Sequence, residues 1–326
     1  MDMLRTNIKH NLSIQKYFPK EKACFVDIET TGLNRFKDNI YLIGILYPSN
    51  DNGTWVLDQY FADNLDEENK VLNEFIANII KFNKIITYNG DYFDIPFIKQ
   101  RIRHYKLNNP FSNIKSFDLY QYVKKYRFLF NFPDLKLKTI EKELGFFRED
   151  IYSGLDCVDF YFKYIESKNP VLKENILNHN FDDLAHMLDV ISIIDLIEDK
   201  KGISINKDEG SIELTIEKIQ FSQDILKIEG TVNPPLENNI KYFHKNFNLV
   251  TEDKRNFTFS LESNLGLITR EEKCRYIDLE EIGIKNLINS ENFNLPPNIF
   301  ILSIENKYCI DNIRNLLSEI VKLLIK

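Results

Sequence analysis

Residues 24–33 read Cys24-Phe25-Val26-Asp27-Ile28-Glu29-Thr30-Thr31-Gly32-Leu33. Val26 and Ile28 alternate with Asp27 and Glu29, the period of a β-strand, in which side chains two apart share a face. Both carboxylates therefore point the same way from a short strand that ends in a Thr-Thr-Gly turn. Two like charges side by side on a strand repel each other. A hard divalent cation removes that cost, because Mg²⁺ and Mn²⁺ prefer oxygen ligands. The competing reading is an edge strand whose polar face meets water. The surrounding sequence has to separate the two.

Working outward, NIYLIGILY (39–47) and GTWVLDQYF (53–61) predict two further strands, and the short loops between them favour antiparallel hairpins. Over 67–82, Val71, Leu72, Phe75, Ile76, Ile79 and Ile80 recur at three- and four-residue steps, which predicts a helix. KIITY (84–88) reads as a fourth, interior strand. The Asn89-Gly90 turn then leads to a helix over 92–105, with Pro96 in its first turn, where proline is tolerated. The order β-β-β-α-β-α gives a mixed sheet flanked by helices, an α/β layer fold. It lets the first strand lie beside the end of the fourth. Asp94 falls in the first turn of the helix that follows, near the Asp27-Glu29 pair, although a helix-start acid is stabilised by the helix dipole in any case.

Bulk properties bound the function. The 326 residues are 43% hydrophobic and 28% charged, as in a globular protein of one large or two ordinary domains. The net charge of −7 argues against wrapping in nucleic acid by bulk charge. Four scattered cysteines form no zinc-site or disulfide pattern. Reduced thiols, the absence of an apolar leader in residues 1–20 and the lack of a membrane-length apolar run lead to the expectation of a cytoplasmic protein with no membrane partner.

Charge is nonetheless uneven. Residues 99–138 carry ten basic side chains against two acids, interleaved with Tyr105, Phe111, Phe117, Tyr120, Tyr122, Tyr126, Phe128 and Phe130. Cations among stacking rings suit a single-stranded nucleic-acid groove; amphipathic helices with solvated lysines explain the same pattern. Helical pieces follow at 137–144, 158–166 and 171–177, with a loop over 148–154. HNFDDL (179–184) is expected to open a long helix that runs to about 198. His179 and Asp183 are four apart and so lie on one side of it, as either a helix-start hydrogen bond or part of a site.

From residue 200 the composition changes. Alternating stretches at 211–218, 224–232, 241–250, 255–262 and 299–305 predict mainly antiparallel strands, closed by a helix over 309–325. The expected organisation is therefore an α/β domain over 1–200 and an accessory α+β domain over 201–326. The second carries no chemical motif. Substrate binding, a protein partner and a cover for the first domain all remain open as its role.

FVDIETTGL with Asp27 and Glu29, TYNGDYFDIPF with Asp94 and HNFDDL with Asp183 together resemble the DEDD exonuclease superfamily with its ribonuclease-H-like fold, and most closely its YprB-type branch. The resemblance spans roughly residues 17–198 and continues through SFDLYQYVKKYR and LKTIEKELGFFRED. It implies a nuclease, most specifically a 3′→5′ exonuclease, that hydrolyses phosphodiesters at a single-stranded DNA or RNA end with two divalent cations, Mg²⁺ or Mn²⁺. Asp27 would bridge both ions, Glu29 and Asp183 would complete one shell, and Asp94 would hold the other. His179 would take a proton from the attacking water or orient it. Thr30 and Asn89 are the candidates for gripping the terminal nucleotide, and Lys99, Arg101 and Arg103 for holding phosphates upstream. One departure from the pattern is that His179 precedes Asp183 by four, the spacing of the tyrosine subclass rather than the histidine subclass. The rival class is a nucleic-acid-binding or assembly module that keeps the fold without the activity.

Overall fold

The computed structural model describes residues 1–51, 53–146, 152–207, 210–285 and 287–324. They form two compact units, one of residues 1–124 and 134–193, the other of residues 125–133 and 194–326. The units are thus not contiguous in sequence.

The first unit is built on a six-stranded sheet of β1 (Asp2–Lys9), β2 (Ala23–Thr30), β3 (Ile40–Pro48), β4 (Thr54–Phe61), β5 (Lys84–Thr87) and β6 (Lys115–Asp118), in the order β1-β4-β3-β2-β5-β6. β2 pairs antiparallel with β3 and parallel with β5. The Asp27-Glu29 strand is therefore interior, and the edge-strand reading does not hold. Seven of its eight residues are buried, because helices cover both faces of such a sheet. The expected hairpins and the juxtaposition of the first and fourth strands are both present. β1 was not foreseen: its residues DMLRTNIK are mostly exposed, and it is held along the sheet edge by antiparallel pairing with β4.

Helices α1 (Glu68–Ile79), α2 (Asp94–His104), α3 (Leu119–Lys125), α4 (Leu137–Glu143), α5 (Gly154–Ser167) and α6 (Pro170–Val190) flank this sheet, and α7 (Ile193–Lys201) follows. α1 packs on β3 and β4, while α6 packs on β2 and β3. α6 starts where Asn169-Pro170 predicts, with the Asn169 side chain accepting from the Val171 amide at 3.0 Å. It then runs unbroken for 21 residues. HNFDDL therefore lies in the middle of a helix and does not open one, which removes the helix-start explanation of the His179-Asp183 pair. Most of the loop expected over 148–154 lies outside the described residues, as does residue 325 at the end of the last helix.

In the second unit, β7 (Gly202–Lys207), β8 (Gly210–Ser222), β9 (Ile225–Asn233), β10 (Lys241–Phe243), β11 (Phe247–Glu252) and β12 (Asn256–Glu262) form one antiparallel sheet, β10-β11-β12-β9-β8-β7. β13 (Asn264–Leu267), β14 (Lys273–Asp278), β15 (Ile299–Ile304) and β16 (Lys307–Tyr308) form a second. The final helix α8 (Ile310–Leu324) buries Ile313, Leu316, Leu317 and Ile320 along one stripe. The single strand expected over 241–250 is a hairpin of β10 and β11. No helix among the described residues is long and apolar enough to cross a membrane.

Candidate active site

Three strands and one helix place the first acid. Asp27 on β2 lies opposite Gly44 on β3, and Gly44 lies opposite Gln59 on β4. Asn180 of α6 sits over Gly44 in this row. A Cβ on Gly44 would come within 2.5 Å of Asn180 Oδ1 and 2.3 Å of Leu184 Cδ1, so only glycine admits the helix this close. Gln59 Nε2 donates to Asn180 Oδ1 and to the Leu177 carbonyl, both at 2.9 Å. Asn180 Nδ2 in turn donates to Asp27 Oδ2 at 2.8 Å. Because Gln59 occupies the amide oxygen, the Asn180 NH₂ is the group that faces the carboxylate. Both Gln59 and Asn180 are buried, and fully satisfied buried networks of this kind hold a side chain in one geometry.

A register shift between Glu29 and Thr30 marks the end of β2; such bulges re-aim the side chains beside them. Asp94 comes in from the start of α2, its Oδ1 accepting from the Ile28 amide at 3.2 Å. The turn that delivers it is fixed by Asp118 at the end of β6. The Asp118 carboxylate accepts from the Asn89 amide at 2.8 Å and the Asp91 amide at 3.1 Å. Asn89 itself has φ 66°, a conformation asparagine tolerates better than most residues. His179 Nε2 stands 3.8 Å from Glu29 Oε1 and 3.8 Å from Asp183 Oδ2.

These groups line one cavity of about 560 Å³ within the first unit, together with Tyr88, Asn89, Lys136, Lys138 and Ser153. The structure thus brings Asp27, Glu29, Asp94, His179, Asp183 and Asn89 together. Thr30 is not part of the lining; its hydroxyl donates to the Gly32 carbonyl at 2.8 Å and supports the turn. Lys99 and Arg103 are exposed on α2, outside the cavity. Arg101 corrects the expectation made for it. It is buried, with Nε and Nη2 donating to Glu68 at 2.7 and 2.5 Å, and a guanidinium committed in that way is not available to a phosphate.

Burial and mutual repulsion act in the same direction on the acids. Burial, then Asp94, Asp183 and Glu29, push the Asp27 carboxyl well up, against the Asn180 hydrogen bond. Burial, then Asp183 and Asp94, do the same to Glu29. Burial pushes Asp94 up to about 7, the amides of Asp94 and Ile28 opposing and Asp118 and Asp183 adding. A carboxylate cluster so raised takes up protons or a cation. Its oxygen donors suit a hard divalent ion. As the side chains stand, however, no three His, Cys, Asp or Glu among the described residues are disposed to hold a metal, so seating one requires other carboxylate rotamers.

Sequence reasoning missed Asn180, Asp118, Lys136 and Lys138. Asn180 stood inside the HNFDDL motif and Asp118 inside SFDLYQYVKKYR; the positions of the two lysines depend on the path of the chain after α3.

Three comparisons bear on this arrangement. The family B DNA polymerase of the hyperthermophilic archaeon Pyrobaculum calidifontis is similar over 53% of this chain and 24% of its own, with 16% identity and a TM-score of 0.41. The zinc-bound E. coli ExoI-ssDNA complex is similar over 63% of this chain and 54% of its own, with 13% identity and a TM-score of 0.32. The uncharacterized protein YprB of Bacillus subtilis (strain 168) is 29% identical over 196 residues, 59% of this chain; the chain spans 45% of that relative's length. The RNase_H_2 family model, of the RNase_H superfamily, matches residues 24–194, a span that contains every acid of the cavity. The chain belongs to the RNase_H superfamily.

Proposed function

We propose that this protein is a nuclease that hydrolyses phosphodiester bonds at the 3′ end of single-stranded DNA or RNA, with divalent cations held by Asp27, Glu29, Asp94 and Asp183. The observation that carries the reading is the cavity in which these four acids meet, three of them driven up by burial and by one another. Such a set is costly to an apo protein and suited to a cation. Bound there, a pair of Mg²⁺ or Mn²⁺ ions would polarise the phosphate and make a nucleophile of water at neutral pH.

The chain's own residues supply the rest. His179, between Glu29 and Asp183, takes the proton of the attacking water at Nε2, a contribution of roughly 10²–10⁴-fold. Asn180 holds Asp27 in place. Lys136 and Lys138 bring positive charge to the cavity rim, where an incoming phosphate needs it. The side chain of Asn89 is the candidate for contact with the terminal nucleotide.

The test is digestion of 5′-labelled single-stranded DNA and RNA with Mg²⁺ or Mn²⁺, beside Asp27→Asn and EDTA controls. The expected result is a ladder shortening from the 3′ end, absent from both controls. Full activity in Asp27→Asn would overturn the assignment. A wild-type chain that neither cleaves nor gains thermal stability from either cation would instead be a binding module.

A further inference from the structure

The second unit carries a cleft that the proposed chemistry does not use. Residues 125–133 leave the first unit's fold and dock in the second. The anchor is Tyr126, buried, with its hydroxyl donating to Glu217 at 2.7 Å and Lys201 Nζ lying 4.8 Å from its ring centroid. Beyond the anchor, a cavity of about 570 Å³ opens, lined mainly by Arg127, Phe128, Phe130, Phe132, Lys307 and Tyr308.

The rings are arranged in parallel pairs. Phe130 and Phe132 stack with centroids 4.5 Å apart and planes 11° from parallel. Tyr308 stacks on Phe221 at 5.7 Å and 9°, and the Arg275 guanidinium lies 4.6 Å from the Phe221 centroid. Phe128, Phe130, Phe132 and Tyr308 are only half-buried, so ring surface stays in water. Charge in the lining is of one sign. Arg127 and Lys307 are exposed, neither is ion-paired among the described residues, and no lining residue is acidic. In a chain of net charge −7, this is a local reversal.

We infer that this cleft binds single-stranded polynucleotide, its bases stacking on the exposed rings and its phosphates meeting Arg127 and Lys307. Flat rings beside cations are what an unpaired, unstacked strand requires. A duplex hides its base faces and does not fit; an acidic peptide would use the cations and leave the rings in water. The choice of ligand class rests on the nuclease reading, but the binding does not depend on catalysis.

The test is fluorescence anisotropy of labelled 20-mers of oligo-dT and oligo-U with the full-length Asp27→Asn chain in EDTA, where nothing is cut. The two polymers distinguish DNA from RNA. Phe130→Ala with Phe132→Ala is expected to weaken binding at least fivefold, the effect of about one lost base stack. Arg127→Glu and Lys307→Glu, at exposed positions where folding is not at risk, are expected to weaken it and to flatten its salt dependence, by about one unit of log–log slope for each charge lost. Unchanged affinity in the charge variants, competition by duplex as strong as by single strand, or no binding of either 20-mer by the parent would each overturn the inference. Cleft-dependent binding by a chain whose wild type never cleaves would sink the nuclease reading alone.

Discussion

The first unit contains buried carboxylates in two places, and it treats them in opposite ways. Glu68, at the start of α1, is buried with five donors around it: Arg101 Nε and Nη2, the Tyr105 hydroxyl at 3.0 Å, Asn39 Nδ2 at 2.7 Å and the Ile40 amide at 2.8 Å. Asp27, Glu29 and Asp94 are also buried, yet they face one another and Asp183. Asn180 and one backbone amide are the donors to Asp27 and Asp94 from other residues, and His179 stands 3.8 Å from Glu29. The chain can evidently neutralise a buried acid with a guanidinium where structure alone is at stake. At the cavity it does not, and the charge deficit left there marks the place that something from outside must fill.

The contrast predicts effects of different size and of opposite sign. The largest is on turnover: Asp27→Asn should lower cleavage to below about 10⁻³ of wild type, the scale seen when a group central to a transition state is removed. In EDTA the same variant should melt higher than wild type, because one member of a repelling set is gone. Arg101→Ala should do the reverse. It leaves Glu68 buried without its cation, at a cost of about 3–5 kcal/mol, which for a domain of this size lowers Tm by roughly 10 °C. Equal shifts for the two variants in thermal melts would erase the distinction between the clusters.

Asn180→Ala tests whether the donor to Asp27 matters beyond packing. Outer-shell partners of this kind are worth about 10–100-fold, here expected in kcat with KM little moved; an equal loss in both would mark a packing role. The smallest effect is on pH. A carboxyl raised to about 7 in the fold binds more protons folded than unfolded, so its contribution is present below the unfolded value and is lost as pH rises towards 7. Thermal melts in EDTA should fall between pH 5 and pH 8, and Asp94→Asn should flatten that fall. Asp63 gives the opposite sign. Its hydrogen bonds from Tyr164, Lys173 and the amino terminus outweigh burial and hold it near about 2, so its contribution is lost only as pH drops below the ordinary carboxylate range.

What the sequence disclosed, it disclosed through period and spacing. The Asp27-Glu29 strand, the hairpins and the parallel neighbour strand follow from alternation and loop length. The cavity acids follow from motif order. The continuous α6 did not, because the polar residues that face the site, His179 and Asn180, interrupt the apolar stripe by which a helix is recognised. Gly44 looked like a weak point in a strand; its reason is the close approach of Asn180, a contact between residues far apart in the chain. Arg101 looked like a free cation because its partner Glu68 lies on another helix. β1 was hidden by its polarity, since an edge strand needs backbone partners more than an apolar face.

The docking of residues 125–133 into the second unit also sets an order of events during synthesis. Phe128, Phe130 and Phe132 leave the ribosome well before Ile219 and Lys307-Tyr308, which share their cavity. At about 5–20 residues per second, the gap to Tyr308 is roughly 10–35 s. For that interval the segment KYRFLFNFP is a ring-rich strip without its final neighbours, long enough for a chaperone or another nascent chain to find it. The second unit therefore cannot complete its fold until nearly the whole chain has been made, whereas the strands and helices of the first are available by residue 193.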